Sequence, residues 1–457
     1  MSPIATLQHT VEPLPNGQGM VLILENGAII TPEDEAMLQA LHSRSAEGVA
    51  SHLEKLAKAG SGKFMESFYV GYGHKSIGDC GTITLFIEGI SMLAAKAIQD
   101  SMLYSGQEAS TRYIDFSNQP FLDPIGNDVS RSILARLRSF YVGASERVVA
   151  HLKEQFPKKD DEMQGTYDKA INARSFDILR GALPAGATTN IAWHTNLRQA
   201  ADRIALLRHH PCHEIRDIAV AIETALRRKY PNSFGHKTYE STETYNREWM
   251  TGEYLFDPEK DAFPDMALAF DGIDRARLGE HRDLLLRRPA KTELPKLVGD
   301  SGTVRFEFLL DFGSFRDVQR HRAVVQRMPL LTAKFGFVPW YLESMPEEVR
   351  LEAKALLAEI ESSLNRLSED FPKETLQYYV PMGYAVPVSL TGDIAAFAYL
   401  IELRATPFVH PTLQKRALEM ATILEGRFGD SGLRLHVDHG ALGRFDTKRG
   451  NHDIVKK

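Results

Sequence analysis

The chain has 457 residues, 43% of them hydrophobic and 25% charged, with a formal net charge of -6. This length exceeds what one hydrophobic core usually organises, so two domains of roughly 200 residues are expected. The acidic balance argues against general nucleic-acid binding, and any phosphate must be held by local arginines. The two cysteines, Cys80 and Cys212, are too few for a disulfide framework. The start, Met1 to Pro13, lacks a basic segment followed by an apolar one, and no apolar run approaches the ~20 residues that span a bilayer. A cytoplasmic protein without a membrane partner is expected.

Val21-Leu22-Ile23-Leu24 reads as a buried strand closed by an Asn26-Gly27 turn. Thr31-Pro32-Glu33-Asp34 then starts a helix, with a cap, a proline in the first turn and early acids, that should run to about Ala59. Gly60-Ser61-Gly62-Lys63 has a phosphate-loop look, but Ala57 stands where an earlier glycine is needed and Phe64 where Ser or Thr must follow the lysine. It reads as a helix-ending loop. From Thr82 to Glu88, Ile83, Leu85 and Ile87 alternate with polar or outward positions, predicting a half-buried strand, after which Ile90, Leu93, Ala94, Ala97 and Ile98 recur at helical spacing.

The second half repeats that order. Val304, Phe306 and Phe308 alternate along a strand, and Phe312, Phe315 and Val318 carry a helix into Arg320. Further on, Leu183-Pro184 and Val380-Pro381 each close a long helical stretch, and apolar helices at 197–208 and 394–404 follow. This is a two-copy repeat, too long for a solenoid, and suggests pseudo-symmetric partners. The expected division is 1–235, a connection rich in Thr, Glu, Asp, Pro and Gly at 236–264, and 265–457.

The chemistry-bearing residues are divided between the copies. Arg320-His321-Arg322 concentrates two guanidiniums and an imidazole, donors for phosphate or an electron-rich ring, while Gln107-Glu108-Ala109-Ser110-Thr111-Arg112-Tyr113 offers a second anion-binding surface with one acceptor. The cluster His209-His210-Pro211-Cys212-His213-Glu214 fits neither a paired helical metal site nor a two-knuckle zinc site, and no metal is assigned. Trp193, Trp340, Tyr378 and Tyr379 read as core aromatics.

Both halves resemble the flavin-dependent thymidylate synthase family. That family carries an Arg-His-Arg triplet followed by Ser, Arg and often Tyr, preceded by a Gly-His-x-Ser/Thr turn that here reads Gly73-His74-Lys75-Ser76, with Asp79 near the family's glutamate. In the first half the triplet positions hold Asp100-Ser101-Met102 but the downstream block survives; in the second half the triplet is present and the block reads Met328, Leu330 and Thr332. The arginine before Leu-Pro is kept as Arg180 and replaced by Gln377, whereas the arginine ending the next helix aligns at Arg404 and falls near Leu207 or Arg208 in the first half.

The resemblance implies an α+β fold made of two tandem copies of the synthase domain, each a mainly antiparallel sheet with helices. It implies FAD-dependent reductive methylation of dUMP to dTMP at a site composed from both halves, with NADPH and methylenetetrahydrofolate as cosubstrates. Gln107, Glu108, Ser110, Arg112 and Arg180 are the expected nucleotide ligands, with Arg404 at the pyrimidine edge as the catalytic cation. Arg320, His321, Arg322, Ser76, Asn196, Arg198 and His213 are the expected FAD ligands. A homodimer reproducing a pseudo-tetramer is implied. The alternatives are flavin-dependent C5 modification of another pyrimidine nucleotide, or a non-catalytic nucleotide-binding or scaffold relic.

Overall fold

A computed structural model describes residues 9–15, 17, 19–24, 30–44, 49–111 and 114–448. The chain forms two compact units, Met1–Thr111 with Thr188–Leu255, and Arg112–Ala187 with Phe256–Lys457. Each holds one antiparallel sheet with helices, so the α+β expectation stands. Among the described residues no helix is long and apolar enough to cross a membrane.

The first unit's sheet takes β1 (His9–Pro13), β2 (Met20–Leu24), β3 (Thr82–Ser91), β4 (Ser105–Glu108) and β5 (Thr188–Asn196) in the order β1-β2-β3-β5-β4. Ile83, Leu85 and Ile87 of β3 point into the core as their alternation requires, and Val21 and Ile23 of β2 join them. The Thr31 start is a true capping box: Asp34 N donates to Thr31 Oγ1 and Thr31 N to Asp34 Oδ2. The single helix expected from Thr31 to Ala59 is two, Pro32–His42 and Val49–Ala59. The Asn26-Gly27 turn lies outside the described residues.

In the second unit, β6 (Met266–Asp271), β7 (Thr303–Asp311), β8 (Val325–Arg327) and β9 (Ala385–Asp393) lie in the order β6-β7-β9-β8. That is the order β2-β3-β5-β4 of the first sheet, position for position. The correspondence extends to a constant shift of 197 residues: β5 starts at 188 and β9 at 385, the following eleven-residue helices at 197 and 394, the preceding single helical turns at 180 and 377. On that shift Leu207 is the counterpart of Arg404, and Arg208 caps the helix one residue later.

The compact units cut across the expected division at 235 and 264. Helices Asp128–Gln155 and Gln164–Leu179 belong to the second unit because Ala144, Val148, Leu152, Tyr167 and Ile178 bury against Met345, Val349 and Ala353. Arg147 adds a bidentate pair to Glu352, 2.7 Å at each oxygen. The stretch read as a connection, 236–264, contains a fifteen-residue helix, Glu240–Tyr254, which buries Asn246, Met250 and Tyr254 at four-residue spacing.

Within the second unit the two Leu-Pro and Val-Pro turns pair with each other. Ala185 N donates to Val380 O and Gly186 N to Tyr378 O; Met382 N donates to Leu183 O and Gly383 N to Gly181 O, all at 2.8 to 2.9 Å. Under the 197-residue shift the first two bonds become the last two, the signature of a local two-fold relation between equivalent segments. The turns approach so closely that a Cβ on Gly186 would meet Tyr378 O at 2.7 Å, and one on Gly383 would meet the Phe337 ring at 2.5 Å. Gly186→Ala should therefore lower stability to urea by about 1–3 kcal/mol. Gly143→Ala, in helix Asp128–Gln155 with open space around it, should raise it by a few tenths to ~1 kcal/mol. Equal midpoints for the two variants would contradict the close-packed turn.

Candidate functional site

The second unit assembles the cationic residues expected from the sequence around one helix. Asp311 ends β7 and caps helix Phe312–Val318, its Oδ2 accepting Ser314 N at 2.8 Å. Phe312, Phe315 and Val318 face inward, which fixes the helix so that the chain leaves it at Arg320-His321-Arg322. His321 is buried, whereas Arg320 and Arg322 are exposed. Gln326 on β8 donates its Nε2 to His321 O at 2.9 Å and to Val318 O at 3.2 Å, tying the turn to the sheet.

Arg404, at the end of helix Ile394–Arg404, donates its Nε to His321 Nε2 at 2.7 Å. An imidazole nitrogen that accepts must be unprotonated, so the ring is neutral and carries its proton on Nδ1. Burial, reinforced by the charge of Arg404 and opposed by Asp317, presses the His321 value down to about 3. Burial likewise holds Arg404 below the ordinary arginine value, against the pull of Asp317 and with the push of Arg320.

Arg180 enters the same neighbourhood from the first half of the sequence. Its Nη2 donates to Ser314 Oγ at 2.8 Å and stands 3.9 Å from Asp311 Oδ2, which also accepts the Tyr341 hydroxyl at 2.7 Å. Burial disfavours its charge, but Tyr341 and the carboxylates of Asp177, Asp311 and Asp317 outweigh that and raise its pKa. Arg180 is 6% exposed; its Nη2 is taken by Ser314, while its Nε is buried with no hydrogen-bond partner among the described residues. Asp317, which the motif reading passed over, is the common acidic neighbour of Arg180, His321 and Arg404. Its signal in the sequence was its place one helical turn before Arg320 and His321.

The first unit holds the remaining expected ligands. Gln107 and Glu108 lie on β4, opposite Ala192 and Ile191 of β5, and Glu108 Oε2 accepts from Gln99 Nε2 at 2.9 Å. Ser110 is exposed just beyond β4; Arg112 and Tyr113 lie outside the described residues. Ser76 is exposed on the short helix Lys75–Gly78. Asn196 caps helix Leu197–Leu207 through Gln199 N, 2.9 Å, and Arg198 pairs with Asp79 at 2.7 Å and Asp202 at 3.3 Å. With Lys75, Arg208, His236 and Tyr239, Arg198 lines a cleft of about 330 Å³. His213 is exposed, 2.8 Å from Asp217. The neighbouring histidines take separate partners, His209 pairing with Glu243 and His210 accepting from Cys212 N. Trp193, Tyr378 and Tyr379 are core, and Trp340 packs edge-on to His410 and Tyr341.

Comparison with known proteins bears on the first half directly. Residues 30–232 match the thymidylate synthase complementing protein family. The resemblance read from the sequence is matched over that stretch, which is less than half of the chain. The chain is also similar to a UPF0159 protein of Chlamydia muridarum, 26% identical over 77% of this chain and 76% of that one. A UPF0159 protein of Chlamydia pneumoniae is 25% identical over 74% and 73%, and one of Thermoplasma acidophilum 24% identical over 91% and 98%. These alignments are too long for the family-matching segment alone, so the relatives share sequence beyond 30–232.

The low His321 value has a consequence for stability. Between the ordinary imidazole value of 6.5 and about 3, the unfolded chain takes up a proton that the folded chain refuses. The contribution of the neutral ring is thus present above pH 6.5 and lost as pH falls, with a slope of up to about 1.4 kcal/mol per pH unit. The stability of wild type minus that of His321→Gln should shrink over that window in urea titrations. A difference independent of pH would mean that His321 is not held neutral.

Proposed function

We propose that the chain carries out flavin-dependent reductive methylation of dUMP to dTMP, both half-motifs serving one reaction. The observation that supports this most is the gathering of Arg180, His321 and Arg404 about Asp317 in a single unit, although these groups come from both sequence copies. The family match over 30–232 supplies the chemical class.

In this reading Arg320 and Arg322 hold FAD through their exposed guanidiniums, with His321 as the rigid neutral post between them. Two exposed cations flanking a buried hub fit a cofactor that brings phosphates and an electron-rich ring. Ser76, Asn196, Arg198 and His213 are the further proposed FAD ligands. FAD, when bound, supplies the hydride chemistry; NADPH and methylenetetrahydrofolate are the proposed cosubstrates. Arg112 and Arg180 bind the nucleotide phosphate with Ser110 as a hydroxyl donor and Gln107 and Glu108 beside them; Arg180 also bonds to Ser314, in the first turn of the helix that presents the triplet.

Arg404 is the proposed catalytic cation. Its bond to His321 uses Nε and, because the imidazole is neutral, leaves the guanidinium charge uncompensated by that partner. A preorganised cation at the pyrimidine's carbonyl edge stabilises negative charge as it develops there, more than it stabilises the neutral substrate. No general base is assigned.

The purified chain should show flavin's visible absorption and release tritium from dUMP labelled at C5. Arg404→Ala should lower kcat by about 10²–10³-fold, the range for removing one preorganised donor. Arg112→Ala should weaken dUMP binding by ~2 kcal/mol, about 30-fold, with flavin retained. Unchanged dUMP affinity would remove the phosphate assignment. A flavin-loaded protein that releases no tritium would instead favour another pyrimidine nucleotide, and a colourless one a non-catalytic role.

A further inference from the structure

One helix turn beyond the cationic cluster the fold leaves an aromatic ring in water. Tyr399, on helix Ile394–Arg404, is 52% exposed, and Leu403, one turn on along the same face, is 46% exposed. The Tyr399 ring stands edge-on to His321, with centroids 5.8 Å apart and an interplanar angle of 62°. Arg404 lies within electrostatic reach of both Tyr399 and Arg320. A half-exposed ring is therefore bordered by the buried imidazole and by the Arg404 guanidinium, which in turn neighbours Arg320.

The fold does not require a ring there. In the corresponding helix Leu197–Leu207, the 197-residue shift puts Asp202 in the place of Tyr399, and that carboxylate pairs with Lys75 and Arg198. The same backbone is served by a charged side chain. An aromatic face beside convergent cations recognises a planar heteroaromatic ring that carries carbonyl or phosphate groups: the ring stacks, and its electron-rich edge meets the guanidiniums.

We propose that Tyr399 is a stacking platform for the planar ring of an anionic heteroaromatic ligand held at Arg320 and Arg404. The shared chemistry has two sources under the proposed function, the ring of the flavin and the base of the pyrimidine nucleotide. The inference rests on the reading of this cluster as a ligand site.

The test titrates FAD and, separately, dUMP into the full chain and into Tyr399→Phe, Tyr399→Ala and Arg320→Ala. Tyr399→Ala should lose roughly ten-fold in affinity for one of the two probes, the size of one aromatic stacking contact, with Tyr399→Phe restoring it. If FAD is the stacked ligand, its fluorescence should be quenched in wild type, where the phenol can donate an electron to the excited ring, and recover in both Tyr399→Phe and Tyr399→Ala, affinity then separating those two variants. If dUMP is, its affinity alone should respond. Equal affinity of the Phe and Ala variants for both probes, while Arg320→Ala still loses flavin, would overturn the platform and leave the proposed function standing. Wild type binding neither probe would overturn both. A shift in sedimenting mass for Tyr399→Ala without a change in binding would place a second copy of the chain on the ring and also overturn the proposal.

Discussion

The feature on which the second unit depends is the mutual pairing of the turns at 181–186 and 378–383. Four backbone bonds join equivalent segments of the two sequence copies, and each amide is buried enough that losing its partner would cost about 1–3 kcal/mol. Because these bonds are made by main-chain atoms, they place almost no demand on side chains beyond the glycines at 181, 186 and 383. The pairing is therefore insensitive to what surrounds it. Arg180 and Gln377 occupy places matched by the 197-residue shift at its edge and make different bonds: Arg180 reaches Ser314, while Gln377 Oε1 accepts from Leu331 N at 3.0 Å and holds a loop instead.

The two sheets share one strand order but carry different side chains at matched positions. The strand orders match, the helix after the last paired strand has eleven residues in both, and its cap is made by an equivalent side chain, Asn196 in one copy and Asp393 in the other. What differs is the outer face of that helix. Arg198 and Asp202 in the first copy are answered by Ala395 and Tyr399 in the second, and the helix-ending Leu207 by Arg404. Leu197, Ala200 and Ile204 are answered by the buried apolar Ile394, Phe397 and Ile401, since a core tolerates little change of polarity, whereas the buried Leu207 gives way to a charged residue where the second helix ends.

Much of the scaffold was legible from periodicity. Strands 82–88 and 303–308, the helices that follow them and the Thr31 cap are fixed by local pattern, because a half-buried strand or an amphipathic helix must show its period in the chain. The grouping of residues 112–187 with the second half was not. The apolar stripe of helix Asp128–Gln155 announces that it will be buried, but its partners Val349 and Ala353 lie some two hundred residues away, and no local signal names them. The helix Glu240–Tyr254 was masked by composition: its Thr and Glu content resembles a linker, although Asn246, Met250 and Tyr254 already carried a helical period. Within the site, the triplet and Arg404 could be singled out by motif, whereas the interior fate of Arg180 depended on Asp311, Ser314 and Tyr341, three residues remote in sequence.

Charge accounting shows why Arg180 and Arg404 play different parts despite belonging to one motif. Arg180 is surrounded by acids and by the Tyr341 hydroxyl, so its charge is compensated where it lies and its pKa is raised. Arg404 is partly buried; it donates to a neutral imidazole, Asp317 pulls its pKa up, and Arg320 pushes it down. A partly buried cation with one acidic neighbour and an opposing guanidinium is costlier to maintain than one ringed by acids. The difference in environment lets the acidic neighbours prevail at Arg180, whose pKa rises, and burial prevail at Arg404, whose pKa falls.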